Sequence, residues 1–258
     1  MGWWTLAGRH GYPEHEWRVA VSFGQLKENG VGSGIPRVLG AACVWLFLGC
    51  SGGDGPGIFK DKEVVFPAGL EPLETSTAPA PEGEGHPEEL ALVNGESDDF
   101  IWAHGRGYLQ TTVGEVWDAL QIEEVLVNRR AVDEWTFTSD VDPDFEASFR
   151  VHNVVHDVVT VEFDVDWRMG SEQEGEETHE TLGVRFAKTE GTVFITLMEG
   201  SIVAWPLEDG VVELELVWHL RAAQEEVSQM TNFMEDLFGE LRATVHGEAL
   251  PSYEEEAG

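Results

Sequence analysis

Alternation of apolar and polar residues is the clearest signal along the chain. Val159, Val161, Phe163, Val165 and Trp167 take every second position, and Thr160, Glu162, Asp164, Asp166 and Arg168 fill the gaps. Period two puts the two sets on opposite faces, which predicts a half-buried antiparallel strand. The polar run GSEQEGEETHE that follows predicts a long hairpin tip. Leu182, Val184 and Phe186 resume the apolar face, Thr189-Glu190-Gly191 turns the chain, and Val193, Ile195 and Leu197 carry the pattern on. Gly200 predicts a bulge or bend in this long strand, and Glu208-Asp209-Gly210 a second hairpin. Beyond it Val212, Leu214, Leu216, Trp218 and Leu220 face inward, while Glu213, Glu215, His219 and Arg221 face solvent.

The period then changes. From Gln224 to His246 the residues Val227, Met230, Met234, Leu237, Leu241 and Val245 recur three and four apart, and Phe233 and Phe238 widen the stripe. That spacing predicts one long amphipathic helix, stopped by Gly247. Ahead of the strands, Ile101 to Leu109 reads as a first strand, VGEVWDAL as a short helix and IEEVLVNRRAVDEW as a second helical stretch. A sheet with one apolar face needs a cover, and the long helix has a matching stripe. The predicted fold is therefore α+β: a curved antiparallel sheet wrapped around a long C-terminal helix, with two short helices after the first strand.

Three segments carry a family resemblance. TTVGEVWDAL, with its Val116-Trp117 pair, is similar to the first helix of START-like helix-grip (SRPBCC) domains; GSIVAWPLEDGVVELELVWHLRA is similar to their penultimate hairpin, with its turn at Pro206 to Gly210; and MTNFMEDLFGELRA stands where their final helix stands. The superfamily includes polyketide cyclases and lipid-transport-like proteins. The proline common before the first helix is replaced here by Thr111-Thr112-Val113. The resemblance implies a cavity between sheet and helix that takes apolar molecules. The candidate wall is Trp167, Phe186, Trp218, Met230, Phe233, Met234 and Phe238. The competing reading of each is plain core, since a stripe at helical spacing is more often packing than pocket.

The N-terminal half reads differently. VLGAACVWLFLGC, residues 38–50, is an uncharged run too short to span a bilayer as a helix, and Arg37 precedes it. Its end, Phe47-Leu48-Gly49-Cys50, resembles a bacterial lipobox with Phe47 where leucine is usual. That resemblance implies lipidation at Cys50, and Ser51 after it resembles outer-membrane sorting. Lys27-Glu28 allows a ribosome-binding codon pair and Val31 a GTG start, so residues 1–30 read as a mis-annotated extension. The expected plan is an extension over 1–30, a signal peptide over 31–49, a disordered Pro/Gly/Glu-rich tether over 50–97, a START-like domain over 98–250 and an acidic tail over 251–258.

The formal net charge is −34, with a pI near 4.3. Such a field repels nucleic-acid phosphates and anionic headgroups, and admits a cationic protein partner. The two cysteines, Cys43 and Cys50, lie in the signal segment, so the domain offers no thiol chemistry. Gly49-Cys50-Ser51-Gly52-Gly53 fits a hydrolase pattern but lacks its strand-turn-helix context. His152 and His156, with Asp164 and Asp166 beside them, could ligate a metal but read as a solvated face; His104, Arg106 and Tyr108 could point inward. Lys188 reads as a surface residue at a hairpin end. No catalytic constellation stands out, and no cofactor or metal is expected. The resulting expectation is a lipid-anchored cell-envelope protein binding a lipid-like molecule, held to the membrane by its acyl anchor alone. Its alternatives are an interaction module with a filled core, or a cyclase- or hydrolase-like enzyme.

Overall fold

The computed structural model describes residues 66–156, 158–173, 179–208, 210–223 and 227–253. The extension, the signal peptide, Cys50 and residues 51–65 of the expected tether lie outside the described residues, as do residues 254–258 of the tail. The elements are β1 (Leu90–Glu96), β2 (Ile101–Leu109), α1 (Val113–Ala119), α2 (Glu123–Leu126), β3 (Glu134–Ser139), β4 (Ala147–His156), β5 (Thr160–Gln173), β6 (His179–Gly191), β7 (Ile195–Glu208), β8 (Val211–Ala222) and α3 (Val227–Val245). The eight strands form one sheet in the order β1-β2-β8-β7-β6-β5-β4-β3. Every neighbouring pair is antiparallel. The sheet curves around α3, and the short helices follow β2: this is the helix-grip arrangement. Among the described residues no helix is long and apolar enough to cross a membrane.

Local chemistry fixes the helix ends. The Thr112 hydroxyl accepts from the Glu115 N–H while the Glu115 carboxylate accepts from the Thr112 N–H, a reciprocal cap on α1. At the far end of α3 the Glu248 N–H reaches the Ala243 carbonyl and the Gly247 N–H the Thr244 carbonyl. Gly247 takes the left-handed φ of 67° that this stop requires. The second helical stretch is shorter than its pattern, ending at Leu126.

Two features of β7 differ from the alternation. Its register shifts between Ile195 and Leu197, not at Gly200. The extra residue turns Leu197 to the outer face and brings Met198 inward, opposite Leu220. Val193 stands in the β6–β7 turn, 82% exposed. The polar hairpin tip is also narrower than expected, because β5 runs to Gln173 and β6 begins at His179.

The larger correction concerns residues 66–97, expected as tether. Leu90–Glu96 is the edge strand β1. Residues 67–79 form a strap across the outer face of the sheet. The Leu73 N–H donates to Ser201 Oγ, Ser76 Oγ to the Gly105 carbonyl, and Arg185 Nη1 to the Glu71 carbonyl. Leu70 is fully buried. It sits over Gly170 and Gly183, which face each other across β5 and β6. A Cβ on Gly170 would stand 2.7 Å from Leu70 Cδ1, and one on Gly183 2.9 Å from the Leu70 carbonyl oxygen. The glycine pair is thus a slot cut for this leucine. Under the strap and the segment after it, Glu213, Glu215 and His219 are buried, although their alternation places them on the polar face. The folded unit therefore starts well before residue 98. The tail start is also packed: Tyr253 Oη donates to Glu240, and the Arg129 and Arg130 guanidinium groups lie 5.2 and 4.7 Å from its ring centroid.

Candidate functional site

The concave face under α3 carries the candidate site. A single cross-strand row runs Phe149 (β4), Trp167 (β5), Phe186 (β6), Gly200 (β7), Trp218 (β8) and Ala103 (β2). Trp167 stacks on Phe186 at 4.5 Å, and Phe186 meets Trp218 edge-on at 6.1 Å. Gly200 makes this possible, since a Cβ there would lie 2.0 Å from Phe186 Cζ. From α3, Phe233 meets Trp218 edge-on at 4.5 Å. Met230, Met234 and Phe238 are buried in the same apolar cluster. All seven residues expected to line a cavity are therefore brought together.

Few polar atoms share that face. Asn153 Nδ2 donates to the Val151 carbonyl at 3.0 Å. The indole nitrogens of Trp167 and Trp218 are buried without a hydrogen-bond partner. Lys188 lies on the concave face by register, opposite Val165. That row is one step nearer the end of the sheet where β8 leads to α3. Among the described residues Lys188 is the one lysine or arginine with no carboxylate or carbonyl in hydrogen-bonding reach. At the same end a recess of about 380 Å³ is lined by Glu96, Ser97, Asp98, Asp99, Phe100, Ile101, Arg221 and Val227. The neighbouring hairpin tips expose Val158, Val159, Val193 and Phe194.

The acid–base candidates of β2 do not point inward. His104, Arg106 and Tyr108 pair with Val217, Glu215 and Glu213 on the outer face. Arg106 reaches both Glu215 and Glu213 there. Burial pushes the Glu213 carboxyl up, partly offset by Arg106. The proposed histidine–aspartate metal set also separates. His152 Nδ1 pairs with Asp164 at 2.6 Å, His156 turns to Glu134, and Asp166 is held by Arg150.

Alternation does not foretell the cluster under the strap. Glu74 Oε1 lies 2.8 Å from His104 Nε2 and 3.0 Å from His219 Nε2. Three such ligands could hold a cation, but the hydrogen bonds assign another role. The Thr77 N–H donates to His104 Nδ1 at 3.0 Å, so the ring proton sits on Nε2 and is donated to Glu74. A metal at Nε2 would need that proton removed while Nδ1 stayed an acceptor, the reverse of the usual arrangement. The three residues form a clasp holding the strap to β2 and β8. Burial raises the Glu74 carboxyl pKa, but hydrogen bonds from His219 and His104 outweigh it and hold the carboxyl below its ordinary value.

No family model matches the sequence, and no curated protein matches it. Solved structures do resemble the fold. Human StAR-related lipid transfer protein 5 is 13% identical, with 68% of this chain and 89% of that one covered and a TM-score of 0.45. The lipid transfer and protein localization domain of human StarD13 is 10% identical, covering 67% and 89%, with a TM-score of 0.44. TTHA0849 from Thermus thermophilus is 15% identical, covering 56% and 96%, with a TM-score of 0.40. At such identities and TM-scores the likeness is one of fold alone, and the helix-grip description rests on this chain's own strand order and long C-terminal helix.

Proposed function

We propose that the domain binds an apolar small molecule between the concave face and α3, as a carrier or sensor. The observation that carries this reading is the aromatic row. It is covered by methionines and phenylalanines of a single helix, which join it in one apolar cluster. Unbranched methionines and flat rings can repack around a guest at modest cost. A non-enzymatic role is in keeping with the outward turn of His104, Arg106 and Tyr108, the acid–base candidates of β2.

The finer reading is a lipid-anchored protein of the bacterial cell envelope, outer-membrane in type. Its support is the sequence from Val38 to Ser51. Acyl chains contribute about 0.8 kcal/mol per buried CH₂, so two or three would hold the protein without any membrane affinity of its own. Incorporation of labelled palmitate into the wild type, and its loss in Cys50→Ala, is the expected result.

A second reading is an interaction module with a filled core. The mutual stacking of Trp167, Phe186, Trp218 and Phe233 favours it, because the rings already occupy one another's space. Native mass spectrometry of the full chain, purified gently from a heterologous host, separates the two. A stoichiometric apolar adduct supports the carrier. A clean apo mass, with no uptake from a mixed lipid extract, sinks it and moves the search to cationic proteins on the acidic surface.

A further inference from the structure

Buried indole N–H groups ordinarily find a partner, because leaving one unpaired loses a bond that water would have supplied. Here two do not. Trp167 and Trp218 are 2% and 6% exposed, and both Nε1 atoms are buried without an acceptor. They belong to the same concave row, with Phe186 between them. One row nearer the recess stands Lys188, half-buried and without a counter-ion among the described residues. In a chain with a formal net charge of −34, a cation left unpaired stands out. All three unused groups are donors.

We infer that the bound molecule is an apolar compound carrying acceptor oxygens, carbonyl or carboxylate, which the Trp167 and Trp218 indoles read while Lys188 faces its more polar end. This rests on the reading of the concave face as a ligand site and names the ligand's chemistry. A pure hydrocarbon would leave both indoles unpaired. A hydroxyl oxygen could accept from an indole, but its own O–H would then need an acceptor on a face that holds few polar atoms. A carbonyl satisfies an indole with nothing left over, and a carboxylate also pairs with Lys188.

The test uses the full chain with dodecane, 2-dodecanone and dodecanoic acid, titrated by tryptophan fluorescence. Trp167→Phe and Trp218→Phe keep a ring and remove the N–H. Each is expected to weaken 2-dodecanone by about three- to tenfold, the range for one hydrogen bond, and to leave dodecane within about twofold. Lys188→Met is expected to weaken dodecanoic acid and spare the ketone. A measurement on the wild type needs no variant to fold: two indole N–H resonances should move downfield with 2-dodecanone and stay put with dodecane. If both probes bind and the variants weaken them equally, or no indole resonance moves, the indoles only pack and the inference is overturned. If neither probe binds the wild type, the ligand reading itself falls with it.

Discussion

Leu70→Ala puts the strap to the test, because a disordered tether and a docked strap give opposite outcomes. A tether residue should be silent. Leu70 is fully buried in the slot over Gly170 and Gly183. Removing its three outer carbons forfeits about 2.4 kcal/mol at about 0.8 kcal/mol per methylene. Buried leucine truncations span about 2–5 kcal/mol, and a surface strap can settle into part of the gap. We expect about 2–3 kcal/mol. If the strap stays docked, Tm falls by about 5–10 °C for a domain of this size. If the loss exceeds what docking is worth, the strap leaves while the sheet stays folded, and the signal moves to proteolysis. Residues 67–89 hold no lysine or arginine but several glutamates, so endoproteinase Glu-C is the probe, cutting after Glu74, since Pro72 blocks the bond after Glu71.

The glycines sharpen the test. On Gly183 a methyl group would meet the Leu70 carbonyl oxygen at 2.9 Å and its Cβ at 3.0 Å, neither of which can swing away. On Gly170 it would meet chiefly Leu70 Cδ1 at 2.7 Å, the free end of a side chain. Gly183→Ala should therefore open the strap more than Gly170→Ala. Unchanged Tm and unchanged cleavage in Leu70→Ala, or the reverse order of the two glycine variants, would refute the slot.

Three further outcomes follow from the same geometry. Gly200→Ala forces Phe186 out of its place between Trp167 and Trp218, for a cost of about 1–3 kcal/mol with altered near-ultraviolet dichroism; an unchanged spectrum would contradict the aromatic row. Glu74 has a depressed folded pKa, so its contribution is present above the unfolded value near 4 and is lost as pH falls through the folded one. Slower amide exchange at Thr77 in the wild type than in Glu74→Gln should hold at neutral pH and vanish in acid, and a gap that ignores pH would dismiss the clasp. Glu240→Ala leaves Arg129 facing a buried void and should destabilise the domain by about 3–5 kcal/mol in urea melts, whereas a loss under 1 kcal/mol would mean that Arg129 finds another partner.

Local pattern made the concave half of this molecule readable. Strand alternation and helical spacing each report a residue's own face, and both pointed at Trp167, Phe186, Trp218, Met230, Phe233, Met234 and Phe238, which the fold gathers into one cluster. What alternation cannot report is a second cover. Period two implies one wet face only if nothing lies on it, and here residues 67–79 do. Their composition of Pro, Gly and Glu suits a tether, and the feature that docks them is distributed. Leu70 needs Gly170 and Gly183 side by side, thirteen positions apart in sequence and joined only by the register of β5 and β6. Glu74 likewise needs His104 and His219, adjacent only because β8 pairs with β2. The ion pairs beneath the cover are just as non-local: Arg106 meets Glu215 and Glu213 only because β2 pairs with β8, and the two carboxylates, buried under the cover, need that arginine to offset their desolvation.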